Sequence, residues 1–343
     1  MASNFFSIEI AENQIRASDV TQTAAQLDIQ ALGAIDLDIP FSTIQNSKDN
    51  EMIVAKIQKL KESLKINKKN VSIVIPDNLT YSQIVEMPRL NEKELMSAIR
   101  YQADQFIPLP LDSTNLDLEI IHEDNSQKKI IVLIIAAAKK TIEKVQNILE
   151  LAGLIPDSVE NELSAIGHYV SYAFPIINKT SNENVIIVNI SQTYTSFYYY
   201  NPQLSLILLN HTFAIGLGLM IKEMQINLNL DAQKAVESLI QYDPAKNNSV
   251  PVETVIQTIT KEFLFELKRF MILINEKYKT SVTKVYFSNN IVNFPAFSTI
   301  VAKNINLPAV QLDNLSLFKK TTLVDSYAKQ LPYFISSIGA NLR

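Results

Sequence analysis

Six glycines in 343 residues set the tightest limit on what this chain can become. At the usual frequency of about 7% a chain of this length would hold roughly 24. Loops that wrap phosphate need several of them, because only glycine lets successive backbone N–H groups close on an anion with no side chain in the way. Neither a GxGxxG nor a GxxxxGK[ST] pattern occurs. The one tight pair, Gly216-Leu217-Gly218, runs on into Leu219-Met220 and reads as a turn or a helix start.

Composition removes further classes. There is no cysteine, so disulfide scaffolds and thiolate metal sites are excluded, and His122, His168 and His211 lie too far apart for ligand spacing. A net charge of −4 supplies no excess of cations for nucleic acid. The longest apolar run, Ile130 to Ala138, is fenced by lysines and far short of the roughly 20 residues that span a bilayer, so it reads as a buried strand. The opening Met1-Ala2-Ser3-Asn4 has no secretory character, and a cytoplasmic location is expected. The length suits two or three packing units.

Periodicity lays these units out. Phe6, Ile8 and Ile10, then Ile15 and Ala17, alternate as in a β-hairpin, and a helical stripe from Met52 to Leu64 precedes the strand Val71–Ile75. Asn91 and Glu94 form a capping box for a helix carrying Leu95, Ile99 and Ala103 that Pro108 and Pro110 end. A hairpin (Leu116–Ile121, Ile130–Ile135) and a helix (Thr141–Leu151) closed by Gly153 complete an α+β unit at about 77–155. After a polar stretch at 178–184, the run Val185–Ile190 predicts a central strand, and the hairpin of 195–200 and 204–209 repeats the N-terminal opening. Helices follow near 219–228, 231–241, 251–278, 295–304 and 331–342, with a strand at 282–287.

Catalytic constellations are missing. The carboxylate pairs Asp36/Asp38, Glu92/Glu94 and Glu160/Glu162 read as solvated faces, and no serine sits in a GxSxG elbow. The aromatics Phe197-Tyr198-Tyr199-Tyr200 suit a strand and read as structural. Lys68-Lys69 and Lys139-Lys140 read as solubilising.

The stretch from Val85-Glu86-Met87-Pro88 through Tyr101 and Phe106-Ile107-Pro108-Leu109-Pro110 to Asn115-Leu116-Asp117 is different in kind, an apolar rim about a Pro-x-Pro break. Here the sequence resembles the type IV pilus assembly protein PilM family, with its "E-M-P" strand end, its "R-x-x-A-x-Q-x-I-P-x-P" helix (Arg100, Ala103, Gln105, Ile107, Pro108, Pro110) and its "N-L-D" strand. Leu151-Ala152-Gly153-Leu154, the Ile215-Gly216 turn, Phe265 to Phe270 and the closing Ala340-Asn341-Leu342-Arg343 agree.

The resemblance implies an α/β, actin-like, two-lobed fold like that of the cell-division protein FtsA, with a small inserted α+β subdomain. It divides the chain into 1–76, the start of the first lobe; 77–155, the insertion; 156–183, a return to the first lobe and linker; 184–317, the second lobe with its long helix at 251–279; and 318–343, a C-terminal helix back on the first lobe. It also implies a cytoplasmic adaptor that binds the N-terminal tail of a PilN-like inner-membrane protein, links it to assembly motors or platform proteins, and lies at the membrane through that partner. A groove between the first lobe and the insertion is expected, with Met87, Pro88, Tyr101, Phe106 and Pro108 at its rim.

The family's nucleotide elements are degraded. Where it has "D-I-G-S-S-x-x-K", this chain has Glu9-Ile10-Ala11-Glu12-Asn13-Gln14-Ile15-Arg16, so Ala11 replaces the approach glycine, Glu12 puts a carboxylate where triphosphate would lie, and Arg16 alone stays favourable. The second hairpin reads Asn189-Ile190-Ser191 for "D-I-G", followed later by the Gly216 turn, and the adenosine loop reads Ser288-Asn289-Asn290 for "S-G-G". The expectation is an adaptor without ATP, Mg²⁺ or catalysis. The alternative is a nucleotide-gated actin-like switch or weak ATPase in the same machinery.

Overall fold

The structure, a computed structural model, describes residues 4–23, 26–44, 47–108, 110–177, 183–246 and 250–343, and of residues 47, 92 and 102–106 the backbone only. The first lobe opens with β1 (Phe5–Ile10), β2 (Gln14–Gln22), β3 (Leu27–Asp36), α1 (Ser47–Ser63) and β4 (Asn70–Ile75). An excursion follows, with β5 (Thr80–Pro88), α2 (Glu92–Phe106), β6 (Thr114–Asp124) and β7 (Lys129–Ala138), and the chain returns through α3 (Lys139–Leu151), β8 (Ile155–Asn161) and α4 (Glu162–Ile177). The second lobe comprises β9 (Val185–Ile190), β10 (Thr195–Asn201), β11 (Leu206–Phe213), α5 (Leu217–Leu228), α6 (Ala232–Gln241), α7 (Val252–Val255), α8 (Gln257–Tyr278), β12 (Lys284–Asn289), α9 (Ala296–Ile305) and β13 (Ala309–Gln311). The short helices α10 (Thr322–Tyr327) and α11 (Ile335–Gly339) close the chain.

The hairpin repeat legible in the sequence extends to whole sheets. The first runs β3-β2-β1-β4-β8 and the second β11-β10-β9-β12-β13, each an antiparallel meander followed by two parallel strands. Both opening hairpins close with the same bond, Ala11 N–H to Gln14 O and Ser191 N–H to Tyr194 O, each 2.9 Å. Strands β1 and β9 are central and covered on both faces; β9 accordingly carries an unbroken Val/Ile run up to Asn189, while β1 buries Ser7 and Glu9 between its apolar residues.

Helices α1 and α3 cover the outer face of the first sheet, packing Ile53, Ile57, Val145 and Ile148 onto Phe6, Ile8 and Ile73. Helices α5, α8 and α9 do the same for the second, with Phe263, Leu267 and Phe297 against Ile186, Val188 and Phe287. Between the sheets lie α4 and α11, whose Tyr169, Phe174 and Ile338 share a core with Tyr198, Tyr200 and Phe334. The two helices cross at Gly339. A Cβ there would overlap the carbonyl oxygen of Ala165, so only glycine allows this approach.

The insertion is a three-stranded antiparallel sheet, β5-β7-β6, with α2 on one face. The capping box forms, Asn91 Oδ1 accepting from Glu94 N–H at 3.0 Å and Glu94 accepting from Asn91 N–H at 3.2 Å. Helix α3, counted in the sequence with the insertion, packs its apolar face into the first lobe. Lys68 also departs from its solubilising reading, pairing at 2.7 Å with the mostly buried Asp19.

Candidate functional site

The tips of the two opening hairpins face each other across an interlobe cleft of about 320 Å³, lined among others by Ala11, Glu12, Ser191, Gln192, Asn290 and Tyr333. Arg16 lies here, but it is not presented to a ligand. Its Nη1 donates to Glu9 Oε1 at 2.8 Å, both side chains being 1% exposed, and to the Tyr333 carbonyl at 3.1 Å, while the guanidinium stacks 3.7 Å from the Tyr333 ring centre. Burial works against this charge, yet Glu9 and Tyr333 together hold Arg16 more firmly protonated than usual. Ser336 donates its hydroxyl to the other Glu9 oxygen, and the Tyr333 hydroxyl bonds Gln14. The cation expected to favour phosphate is therefore committed to the chain's own C-terminal segment.

Most of the other family positions are committed as well. Glu12 is buried and held by the backbone N–H of Ser42 at 3.3 Å and by the Ser42 hydroxyl. Asn189 donates to Glu162 Oε1 at 3.1 Å, and Ser288 donates to the Val188 carbonyl at 3.3 Å. Asn289 takes a φ of 64° with a ψ of −128°, outside the left-handed helical region that asparagine favours, and its buried Oδ1 has no partner. Gly216 caps α5, and a Cβ there would come within 2.5 Å of the Gln192 backbone, so this glycine serves a close approach of two loops. For a nucleoside triphosphate the lining sets a definite charge balance. The cleft offers it two carboxylates, Glu12 and Asp36, against one already neutralised arginine, with no lysine among its lining.

A second concavity lies where the face of the inserted sheet opposite α2 meets α4 and β11. It encloses about 160 Å³, with Ile84, Ile121, Leu133, Leu163 and Ile207 on its walls. Gly167 supplies a bare stretch of helix, and Glu119 and His168 provide the polar groups. His168 sits 3.5 Å from Glu160; burial opposes its charge, but Glu160 prevails and raises its pKa above the ordinary imidazole value.

The expected rim residues do not line this concavity. Met87 is buried in the core between the inserted sheet and α2, because its register opposite Ile130 turns it to the α2 side. Pro88 is exposed at the far end of β5, Tyr101 is 73% exposed on α2, and Pro108 is exposed beyond that helix. The side chain of Phe106 lies outside the described residues.

A profile of the type IV pilus assembly protein PilM family matches residues 7–331. The chain belongs to this family. Among solved structures, the PilM-PilN type IV pilus biogenesis complex superposes with a TM-score of 0.82 at 15% identity, over 100% of this chain and 99% of that one. Ethanolamine utilization protein EutJ from Carboxydothermus hydrogenoformans gives 0.53 at 10% identity, covering 98% and 88%. A Bacteroides thetaiotaomicron protein with an actin-like ATPase fold gives 0.50 at 10% identity, covering 97% and 95%. The fold is actin-like, as the repeated sheets require.

In this PilM-family chain, sequence reading missed one set of polar residues. Glu162, read as solvated, is 1% exposed and lies with buried Asp77 under Tyr194 and Tyr198. The aromatic run Phe197 to Tyr200 is structural, as expected, but Tyr198 also donates to Asp77. The available signal was Asp77 two residues beyond the apolar strand Val71–Ile75, just after Pro76.

Proposed function

We propose that this protein is a cytoplasmic adaptor of type IV pilus assembly that binds the N-terminal cytoplasmic tail of a PilN-like inner-membrane protein and links it to the assembly motors. The observation that carries this reading is the preformed concavity among the inserted sheet, α4 and β11, which is apolar on its walls and carries one carboxylate, Glu119, beside His168. Such a surface suits a short segment with apolar side chains and a neighbouring cation. Family membership and the likeness to a PilM that was solved together with PilN support the same partner. Among the described residues no helix is long and apolar enough to cross a membrane, so membrane attachment is assigned to the partner.

We further propose that the protein acts without bound nucleotide and without catalysis. The committed state of Arg16 and the carboxylates of the cleft favour this over a nucleotide-gated switch. Fluorescence anisotropy with a labelled peptide of the PilN tail encoded by the same genome tests the adaptor reading. Ile121→Asp is expected to weaken binding at least about tenfold, whereas Tyr101→Asp leaves it unchanged. Absence of binding by the unaltered protein, or equal binding by both variants, overturns the groove assignment.

A further inference from the structure

The carboxyls of Asp77 and Glu162 meet at the joint of all three parts of the molecule. Glu162 opens α4, and its Oε2 accepts from the Asp77 backbone N–H at 3.0 Å and from the Tyr194 hydroxyl, while Oε1 accepts from Asn189 Nδ2 at 3.1 Å. Asp77, in the turn that leads into the inserted sheet, accepts from Leu163 N–H at 3.1 Å and from the Tyr198 hydroxyl at 2.6 Å. Asn161 reaches Ser82 of β5 at 2.6 Å. First lobe, insertion and second lobe are thus tied through two carboxyl groups, and every donor named here is neutral.

Among the described residues no cation balances the pair. The charged groups that face it are Glu9 from β1 and Arg16 from β2, and Arg16 is already paired with Glu9; the second lobe contributes only the phenols of Tyr194 and Tyr198. Two ionised carboxylates so deeply buried without a countercharge would repel each other in a medium that screens poorly. A proton on one of them removes the conflict, and the protonated Glu162 can donate to the Tyr194 oxygen in place of accepting from it.

We propose that Asp77 and Glu162 form a proton-dependent clasp, in which one proton held on Glu162 keeps the two lobes and the inserted sheet in register and its release to solvent loosens the joint. Burial first, then the charges of Asp77 and Glu9, push the Glu162 pKa up to about 8, and burial raises that of Asp77 as well. The sign follows from linkage. Between the ordinary glutamate range and about pH 8 the folded state keeps a proton that the unfolded chain gives up, so stability falls as pH rises and levels off beyond the folded pKa.

The test is urea denaturation of the full chain from about pH 5.5 to about pH 9.5, on either side of the folded pKa. The unaltered protein is expected to lose on the order of tenfold in folding constant per pH unit until about pH 8. Glu162→Gln, which keeps the acceptor and supplies a permanent donor, is expected to flatten that slope. Infrared spectroscopy of the unaltered protein provides a second reading that needs no variant: the carbonyl band of a protonated carboxyl should be present at neutral pH and vanish in alkali. An unchanged slope in Glu162→Gln, or no protonated carboxyl band at neutral pH, overturns the proposal.

Discussion

The guanidinium of Arg16 lies 3.7 Å from the centre of the Tyr333 ring while its Nη1 holds Glu9 at 2.8 Å. Residues more than three hundred positions apart are thereby joined, and the first hairpin is fixed by the C-terminal segment of its own chain. Removing the cation alone would strand a buried carboxylate. Arg16→Met is expected to cost about 3–5 kcal/mol, read by urea denaturation, while the double replacement Glu9→Leu with Arg16→Met recovers most of that loss because neither charge is left unpaired. A double variant as unstable as the single one would show that stacking on Tyr333, not the pair, carries the energy.

The same arrangement makes a prediction about nucleotide. A ligand present at 100 times its Kd stabilises a fold by about 2.7 kcal/mol, which a thermal scan detects easily. Mg-ATP at millimolar concentration is expected to leave Tm unchanged. Ala11→Gly combined with Glu12→Ser is expected to leave it unchanged too, since Arg16 remains held by Glu9 and Tyr333. A rise in Tm with either protein would return the cleft to use as a nucleotide site.

Two glycines facing the same central layer should respond oppositely. At Gly339 an added methyl would overlap the Ala165 carbonyl, so Gly339→Ala is expected to cost roughly 2–4 kcal/mol by forcing α11 off α4. At Gly167, inside α4, nothing stands within 4 Å of the added carbon. Gly167→Ala is expected to be neutral or to stabilise by up to about 1 kcal/mol through the helix preference of alanine. Thermal denaturation of the two variants decides this, and a loss in Gly167→Ala would mean that α4 has less room than the structure shows.

What the sequence revealed and what it concealed follow from the range of the interactions. The strands near Ile73 and Ile187 were legible because a strand buried on both faces writes its burial into neighbouring residues, the strand at Ile8 because its apolar residues alternate, and the capping box of Asn91 and Glu94 because it is local. Helix α4 was missed. It is buried on most sides, so Leu163, Ile166, Tyr169, Val170 and Phe174 carry no clear polar face opposite, and Pro175 lies within its last turn. The site was less legible still. Nothing near Arg16 in the sequence shows that Tyr333 will cover it, nothing near Met87 shows that register will turn it inward, and Glu162 looks solvated until Asn189 and Tyr194 arrive from the other lobe.

Neighbouring tyrosines on β10 offer a direct measure of how much the interlobe joint depends on its hydrogen bonds. Tyr198 donates at 2.6 Å to a buried carboxyl oxygen of Asp77 across the lobes, whereas the Tyr199 hydroxyl meets Asn184 within its own lobe, where water can replace it. Tyr198→Phe takes away the closest donor of that buried carboxyl and is expected to cost about 1–3 kcal/mol. Tyr199→Phe is expected to cost less than about 1 kcal/mol. Hydrogen exchange would locate the difference: faster exchange in Tyr198→Phe should appear at residues 77–84 as well as on β10, while Tyr199→Phe should affect only the second lobe. Equal costs, or exchange confined to β10 in both variants, would mean that Asp77 does not transmit the second lobe's position to the inserted sheet.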